Sequence, residues 1–257
     1  MGKIIAVANQ KGGVGKTTST VNLAACLGTK RKKVLLIDID PQGNATSGVG
    51  INKRDITLSS YDLLTGGAKA EEIILKTAYK NLHILPSNIQ LAGAEIQLVD
   101  VEDRVNVLKK AIVHLKELYD FIFIDCPPSL GLITLNALTA CDTVFIPIQC
   151  EYYALEGLTQ LMATVRQVKK MYNPTIEIEG VLLTMYDGRL NLTSQVVAEV
   201  KKFYGDKVYS TAIPRNVRLS EAPSYGQPVY YYDKGSTGTK AYMDLCEEVI
   251  KRNRRIV

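Results

Sequence analysis

Asn9-Gln-Lys-Gly-Gly-Val-Gly-Lys-Thr-Thr18 is the stretch that decides the fold, and it stands between an apolar run and a helical stretch. Gly12, Gly13 and Gly15 allow the backbone to curl without Cβ clashes, so that a ring of N–H groups can face one anion. The helix that follows aims its N-terminal N–H groups at the same anion. Lys16 can neutralise β- and γ-phosphates, and Thr17 offers a hydroxyl to Mg²⁺. The predicted nucleotide-binding residues are Lys11, Gly12, Gly13, Val14, Gly15, Lys16, Thr17 and Thr18.

The loop departs from the usual phosphate-loop pattern. Counting back from Gly15-Lys-Thr17, the first glycine of that pattern would fall at position 10, where this chain has Gln10. An additional lysine, Lys11, precedes the glycine pair instead. A dinucleotide-binding fold is a poor alternative, because no third glycine follows Gly13-Val-Gly15 and the Lys16-Thr17 pair would have no role.

Short apolar runs alternate with longer amphipathic stretches along the chain. The runs are rich in Val, Ile and Phe and show little alternation, as expected for strands buried on both faces. Strands are predicted at Ile4–Ala8, Val34–Asp38, Leu82–Leu85, Phe121–Asp125, Thr143–Ile148, Gly180–Thr184 and Lys207–Tyr209. Helices are predicted at about 16–29, 102–118, 131–140, 154–172, 192–204 and 238–253. We therefore predict one α/β domain over residues 1–257, a doubly wound, mostly parallel sheet of about seven or eight strands with helices on both faces.

Carboxylates stand where two of these strands end. In a doubly wound sheet, ligands bind at the carboxyl ends of the strands, here just after Ala8, Asp38, Asp125, Thr184 and Thr211. Asp125 is therefore predicted at the magnesium site, directly or through water, and Asp40 is predicted to position the attacking water. Asp38 could instead orient the loop, and each aspartate taken alone could equally cap a turn.

Composition and charge exclude few function classes. The 257 residues are 46% hydrophobic and carry a net charge of +5, which allows a substantial core and permits contact with nucleic acid or anionic lipid. No signal peptide precedes the first run and no apolar stretch approaches about 18 residues, so we expect a cytoplasmic protein. The cysteines lack CxxC spacing and are expected to be buried thiols rather than metal ligands or disulfides. They are Cys26, Cys126, Cys141, Cys150 and Cys246.

Together these segments resemble the deviant Walker-A ATPases and, within them, the ParA/Soj chromosome- and plasmid-partitioning ATPases. The resemblance runs from the first strand to the final helix. It is carried by Lys11-Gly-Gly-Val-Gly-Lys-Thr-Thr18, Asp38-Ile-Asp-Pro-Gln-Gly-Asn44, Asp125-Cys-Pro-Pro128 and Pro214-Arg-Asn-Val-Arg-Leu-Ser-Glu-Ala-Pro-Ser-Tyr225. The last segment is the most specific to the Soj-like branch, whereas the first is shared across the superfamily.

The resemblance implies an ATP hydrolase that closes into a nucleotide-sandwich homodimer. Lys11 would cross the interface and stabilise charge on the phosphoryl group transferred in the other subunit. Gly12 would lie where the two loops face each other, so that a side chain there should block closure. Pro214 and Asn216 match the family's adenine-contacting position, although Pro214-Arg-Asn could also be a simple turn after a strand.

The resemblance also implies that the ATP-bound dimer binds DNA without sequence preference and associates with the nucleoid. A ParB-like centromere-binding protein would speed its slow hydrolysis. DNA binding requires cations that displace counterions from phosphates. The predicted DNA contacts are Arg189, Arg218, Lys251, Arg252, Arg254 and Arg255. Cations at a helix C-terminus could instead complement the helix dipole and stay solvated.

The nearest alternative is a MinD-like membrane-associated positioning ATPase. That branch ends in an amphipathic helix, whereas the tail here carries only Ile256 and Val257 as apolar residues, too few for a stable membrane anchor. An iron–sulfur reductase would need paired cluster cysteines, and Cys126 has no evident mate. A tyrosine kinase of the superfamily would end in a tyrosine cluster, but Tyr230-Tyr-Tyr232 lies about 25 residues before the end and is predicted as an edge strand.

A different class of function stays open, namely a nucleotide-gated binding module without useful turnover. Measuring ATP turnover with and without DNA and a partner discriminates that class from an ATPase. Because no segment precedes the first strand, we expect no separate operator-binding domain, as in the short, chromosomal-type branch.

Overall fold

The computed structural model describes residues 1–151 and 154–254. Its centre is one sheet, whose strands are β1 Lys3–Val7, β2 Val34–Asp38, β3 Leu75–Lys76, β4 Leu82–Leu85, β5 Phe121–Asp125, β6 Thr143–Gln149 and β7 Glu177–Thr184. The seven strands lie in the order β3-β4-β2-β5-β1-β6-β7. Neighbouring strands are parallel, except that β3 runs antiparallel to β4. The predicted doubly wound, mostly parallel sheet is confirmed.

Strand β1 runs through the middle of the sheet, and its side chains alternate between two cores. Ile4 and Ala6 enter one core, and Ile5 and Val7 enter the other. Because both faces of β1 are buried, its sequence is a nearly continuous run of apolar residues. Parallel pairing places Val7 beside Asp125, so the loop after β1 and the carboxylate that ends β5 share one edge of the sheet.

Helices cover both faces of the sheet. They are α1 Lys16–Thr29, α2 Asn44–Gly48, α3 Ser60–Thr65, α4 Ala70–Ile73, α5 Ala94–Gln97, α6 Val107–Ile112, α7 Leu132–Ala140, α8 Ala154–Met171, α9 Asn191–Tyr204, α10 Val217–Glu221, α11 Val229–Tyr232 and α12 Thr237–Arg252. Helices α6, α7 and α8 pack on the face to which Ile4 belongs. Helices α1, α11 and α12 pack on the opposite face.

Five predicted helices correspond to α1, α7, α8, α9 and α12. The predicted helix 102–118 is shorter, because α6 begins only at Val107 and is followed by the 3₁₀ turn Val113–Glu117. Helices α2 to α5 are not predicted from the sequence. Each has only four to six residues, too few for a helical period to show in the pattern of apolar side chains.

The predicted strand Lys207–Tyr209 is wrong. Gly205–Lys207 is a 3₁₀ turn, and Val208 makes only an isolated bridge to Val181. The Tyr209 N–H donates to the Val181 carbonyl of β7 at 3.0 Å, but the N–H groups of Ser210 and Thr211 donate to the carboxylate of Glu248 at 2.9 and 3.1 Å. The glutamate therefore takes the Thr211 donor that would have continued a ladder with β7 after Tyr209.

The predicted edge strand at Tyr230–Tyr232 is wrong as well, because these residues belong to α11. The Val229 N–H donates to Asn22 Oδ1 at 2.6 Å, and the Tyr232 N–H donates back to the Pro228 carbonyl at 3.1 Å. With these donors satisfied by a side chain of α1 and by a local turn, the segment does not pair with a strand.

A buried charge cluster joins the first strand to the last helix at the amino edge of the sheet. Lys3 Nζ lies 2.5 Å from Glu179 Oε2 and donates to Asn253 Oδ1 at 2.7 Å. Thr143 and Asn253 each donate a further hydrogen bond to the Glu179 carboxylate. Burial alone would raise the pKa of Glu179, but the charge of Lys3 and these hydrogen bonds hold the pKa below its usual value.

We predict that Lys3→Met lowers the free energy of unfolding by about 3 kcal/mol or more, because it leaves the Glu179 carboxylate buried without its cation. Urea denaturation measures this loss, and adding Glu179→Gln should recover part of it. Lys169→Met is the matched control, since it breaks an exposed pair with Glu177 and should cost less than about 1 kcal/mol. Equal losses in the two lysine variants would contradict the prediction.

Candidate active site

The glycine-rich loop between β1 and α1 curls at the carboxyl edge of the sheet. Gly13 and Gly15 have φ of 74° and 84°, a left-handed conformation that other residues rarely adopt, and Gly15 is the N-cap of α1. A Cβ built on Gly12 or Gly13 would have no atom within 4 Å. One face of the loop is therefore open and free of side chains.

The loop is held in place by the ends of β6 and β7. Thr184 Oγ1 lies 2.8 Å from the Val14 carbonyl and 3.0 Å from the Ile148 carbonyl. Asn9 accepts a hydrogen bond from the Lys11 N–H at 3.0 Å and donates to the Pro147 carbonyl at 2.8 Å. The sequence predicted ligands near the end of the strand at Thr184, but it gave no sign that this hydroxyl fixes the loop.

Lys16 begins α1 and its side chain is buried beneath the loop, where Nζ donates to the Lys11 carbonyl at 3.2 Å. Burial lowers the pKa of Lys16, while the nearby carboxylates of Asp125 and Asp40 act in the opposite direction. The Lys11 carbonyl satisfies only part of the hydrogen-bonding capacity of this cation. A bound phosphate would supply further acceptors and a compensating negative charge.

Asp125 lies beneath the first turn of α1, fully buried. Its carboxylate accepts hydrogen bonds from Thr17 Oγ1 at 2.7 Å and from Thr20 Oγ1 at 2.9 Å. Burial, and after it the charge of Asp38, raise the pKa of Asp125 to about 7. Because the Thr17 hydroxyl gives its proton to Asp125, its oxygen lone pairs are free for a cation. Thr20 was missed from the sequence, since a threonine inside a helix carries no signal of its own.

Asp38 shapes the loop that follows β2 rather than facing the phosphate loop. Its carboxylate accepts the Asp40 N–H at 3.1 Å and both the N–H and the hydroxyl of Thr46, at 2.8 and 2.7 Å. Burial raises the pKa of Asp38 to about 6 despite these bonds. Asp38 and Asp125 are register partners in adjacent strands, so two buried carboxylates lie side by side.

A cavity of about 310 Å³ lies over the phosphate loop. Its lining is Gly12, Gly13, Gly15, Lys16, Thr17, Thr18, Asp40, Gln42, Asn44, Pro128 and Met185. In the described parts of the chain, no group of three or more His, Cys, Asp or Glu side chains could hold a metal alone. The oxygen donors Thr17 and Asp125 nevertheless fit Mg²⁺, which usually takes one or two protein ligands and completes its shell with phosphate and water.

A second cavity, of about 350 Å³, adjoins the first and shares Gly15, Thr18 and Met185 with it. Pro214 and Asn216, which are predicted to contact the adenine, both line this cavity. Asn216 Oδ1 accepts the Arg218 N–H at 2.9 Å and caps α10, while its Nδ2 donates to Thr237 Oγ1 at 2.7 Å. The asparagine therefore fixes this wall of the cavity through both ends of its amide.

The structure does not bring the predicted DNA contacts together. Arg189 follows β7 and Arg218 belongs to α10, both near the carboxyl edge of the sheet. Lys251, Arg252 and Arg254 lie at the end of α12, where Asn253 bonds to Lys3 at the amino edge.

The Arg252 side chain is also engaged in contacts within its own subunit. It forms a pair with Glu248 at 2.8 Å, donates to the Val208 carbonyl and lies 4.2 Å from the centre of the Tyr209 ring. Arg255 lies outside the described residues, as do Ile256 and Val257.

Other predicted features can be placed directly. All five cysteines are free and buried, as expected for packed thiols. Within the part of the chain that the structure describes, no helix is both long enough and apolar enough to cross a membrane.

A glycine-rich loop after a central parallel strand, with a buried carboxylate of the neighbouring strand against the loop's threonine, defines the class of P-loop ATPases. Residues 2–178 match a family model described as an AAA domain. The sporulation initiation inhibitor protein Soj of Bacillus subtilis (strain 168) is 61% identical over 249 residues, covering 97% of this chain and 98% of that protein. The chromosome-partitioning ATPase Soj of Treponema pallidum (strain Nichols) is 50% identical over 253 residues, covering 98% and 99%.

Among solved structures, the septum site-determining protein MinD of Pyrococcus horikoshii OT3, in complex with Mg-ADP, matches with a TM-score of 0.81 and 30% identity. The match covers 100% of this chain and 99% of that chain. The chain belongs to the ParA/Soj family of chromosome-partitioning ATPases.

We predict that Asp125→Asn stabilises the nucleotide-free protein increasingly as the pH rises. Because the pKa of Asp125 is raised to about 7 from 3.8, the native state holds a proton that the unfolded state has lost, and stability falls between these two pH values. The asparagine, which can still bond to Thr17 and Thr20, avoids this loss. The advantage over the wild type should be on the order of 4 kcal/mol at pH 8 and much smaller at pH 4.

Chemical denaturation of both proteins at several pH values measures the difference. Asp244→Asn, on the exposed side of α12, is the control and should show no such trend. An Asp125→Asn advantage that does not change with pH would contradict the prediction.

Proposed function

We propose that this chain is an ATP-dependent partitioning ATPase that works as a single domain over residues 1–257 and closes into a homodimer around two ATP molecules. While closed, it binds double-stranded DNA of the nucleoid without sequence preference. A ParB-like centromere-binding protein stimulates its slow hydrolysis, which releases it from DNA. The observation that carries the proposal is the open face of the phosphate loop at Gly12 and Gly13, because a second copy can approach the phosphates there.

In this proposal, the N–H groups of the loop and of the first turn of α1 hold the triphosphate, together with Lys16. Thr17 holds Mg²⁺ directly and Asp125 holds it through water, because the Asp125 carboxylate already accepts two hydroxyl hydrogen bonds. When bound, Mg²⁺ neutralises charge on the phosphate oxygens. Asn216 and Pro214 form the wall against which the adenine lies, in the adjoining cavity.

Asp40 orients the attacking water. Its Oδ1 accepts the Gln42 N–H at 2.9 Å, and its backbone is fixed by Asp38, so the carboxylate is presented to the cavity over the phosphate loop. Lys11 of the second subunit stabilises the charge that develops on the transferred phosphoryl group. Hydrolysis would then depend on closure, since neither subunit alone supplies every group.

The proposed dimer gives a test at Gly12. Gly12→Val should weaken ATP-dependent dimerisation about a hundredfold or more, since two added side chains meet where the loops face each other. Thermal stability of the monomer should change little, because a Cβ at Gly12 meets no atom within 4 Å in the single subunit. Analytical ultracentrifugation with Mg-ATP measures the effect.

Gly235→Val is the matched control, because Gly235 is exposed and its added Cβ would meet only Asp233, at 3.7 Å. If Gly12→Val dimerises as well as the wild type, the phosphate loop does not lie in the dimer interface.

DNA binding is proposed for the carboxyl edge of the sheet, where Arg189 and Arg218 lie. The Arg189 side chain is 89% exposed and pairs with Asp187, while Arg218 pairs with Glu221 and Asp233. Both guanidinium groups have acidic neighbours within their own subunit, so DNA phosphates must compete with those carboxylates. This predicts weak binding by one subunit and requires the four arginines of a dimer to act together.

Reversal of charge tests this assignment. Arg189→Glu or Arg218→Glu should weaken ATP-dependent retention of DNA about tenfold or more, and the remaining binding should depend less on salt. Lys251→Glu combined with Arg254→Glu is the control at the amino edge and should have the smaller effect. Retention that is unchanged by both arginine reversals would discard these two residues as contacts.

The MinD-like alternative is favoured by one observation, the structural similarity to MinD with Mg-ADP. The higher identity to Soj favours partitioning. Anionic lipid vesicles with ATP, included in the same retention experiment, discriminate the two functions. Vesicle binding without DNA binding would support the membrane alternative.

A further inference from the structure

Lys11, the residue proposed to act on the second subunit, is engaged within its own. Its Nζ lies 3.1 Å from Glu151 Oε2. The two side chains are 30% and 47% exposed, so the pair lies at the surface beside the open face of the loop. A lysine in this position is directed at its own subunit rather than outward.

Glu151 is itself fixed from the end of β6. Gln149 Nε2 donates to the second carboxylate oxygen, Oε1, and the Glu151 N–H donates to the Gln149 carbonyl at 2.8 Å. Gln149 is the last residue of β6 and is the register partner of Thr184 in β7. The carboxylate that faces Lys11 is therefore held by the end of β6, next to the end of β7 whose Thr184 contacts the phosphate loop.

The stem of Lys11 is positioned from the same side. Its N–H is held by Asn9, and a Cβ built on Gly157 of α8 would lie 3.9 Å from Lys11 Cβ and 3.6 Å from Asn9 Oδ1. The first turn of α8 thus passes close to the base of this lysine. Backbone and ammonium group are both fixed toward β6 and α8.

We propose that Glu151 is a positioning residue that retains Lys11 on its own subunit until a second nucleotide-loaded copy supplies phosphate charge in its place. This inference rests on the proposed function, in which Lys11 acts in trans. A single half-exposed carboxylate holds the lysine weakly, whereas a triphosphate carries several negative charges. The exchange is therefore reversible, and it makes closure depend on the bound triphosphate rather than on contact alone.

The size of the effect follows from the exposure of the pair. A surface ion pair changes an equilibrium by about two- to fivefold. Because closure must break one pair in each subunit, the two factors multiply to about 4- to 25-fold in the dimerisation constant. The ion pair between Lys11 and Glu151 therefore opposes closure weakly and does not prevent it.

Glu151→Gln tests the inference, since it keeps the shape of the side chain and removes its charge. With Mg²⁺ and a non-hydrolysable ATP analogue, analytical ultracentrifugation should show the variant dimerising about 4 to 25 times more tightly than the wild type, with a gain that shrinks as salt is raised. The midpoint of ATP turnover against protein concentration should move to lower concentration. Glu156→Gln, which removes an exposed charge from the first turn of α8, is the matched control and should shift neither quantity by more than about twofold.

Nucleotide binding is measured separately at protein concentrations too low for dimerisation, where Glu151→Gln should leave the affinity for the analogue unchanged. Dimerisation of Glu151→Gln equal to or weaker than that of the wild type would overturn the inference while leaving the proposed dimer intact. Absence of a dimer in every protein, the wild type included, would overturn the proposed function itself.

Discussion

The hydrogen bonds from Thr17 and Thr20 to the buried Asp125 carboxylate are the interaction on which the rest of the site depends. They join the end of β5 to the first turn of α1 and so fix where the loop between β1 and α1 must pass. The carboxylate lies beside Asp38 in the neighbouring strand, and burial raises the pKa of both groups. Two buried carboxylates that lie together are stabilised by nearby positive charge. Lys16 supplies one such charge within the chain, and Mg²⁺ fits as a second.

The groups around this interaction divide into those that hold the loop and those left available to a ligand. Thr184 and Asn9 use their hydrogen bonds on the loop backbone and on β6. Asp38 uses its carboxylate on the loop after β2. Lys16 and Asp40 keep free hydrogen-bonding capacity toward the cavity. Rigid support on one side and unsatisfied groups on the other are what phosphate recognition by a preformed site requires.

Much of this arrangement could be predicted from the sequence, because it depends on local patterns. The glycines, Lys16 and Thr17 specify the loop through backbone geometry, and the continuous apolar runs specify a sheet that is buried on both faces. Asp125 was placed correctly at the carboxyl edge because parallel strands end together. The roles assigned to Lys11, Asp40 and the DNA-contacting cations stay predictions.

The contacts that were not predicted join residues far apart in the chain. Thr20 and Thr184 look like ordinary helix and strand residues until the fold places them against the loop. Glu248, almost 40 residues away, takes the N–H groups of Ser210 and Thr211 directly after the expected strand at Lys207–Tyr209. Arg252 looked like a free cation, yet it stacks on Tyr209. Local periodicity contains no information about such tertiary partners.

The most direct measurement is calorimetric titration of ATP into the purified protein, once with Mg²⁺ and once with EDTA. We expect binding in both buffers, because the loop and Lys16 hold phosphate without metal, and a markedly higher affinity with Mg²⁺, because Thr17 and Asp125 hold the ion. ATP affinity that is the same in both buffers, or no binding in either, would contradict the central claim that this edge of the sheet is a magnesium–triphosphate site.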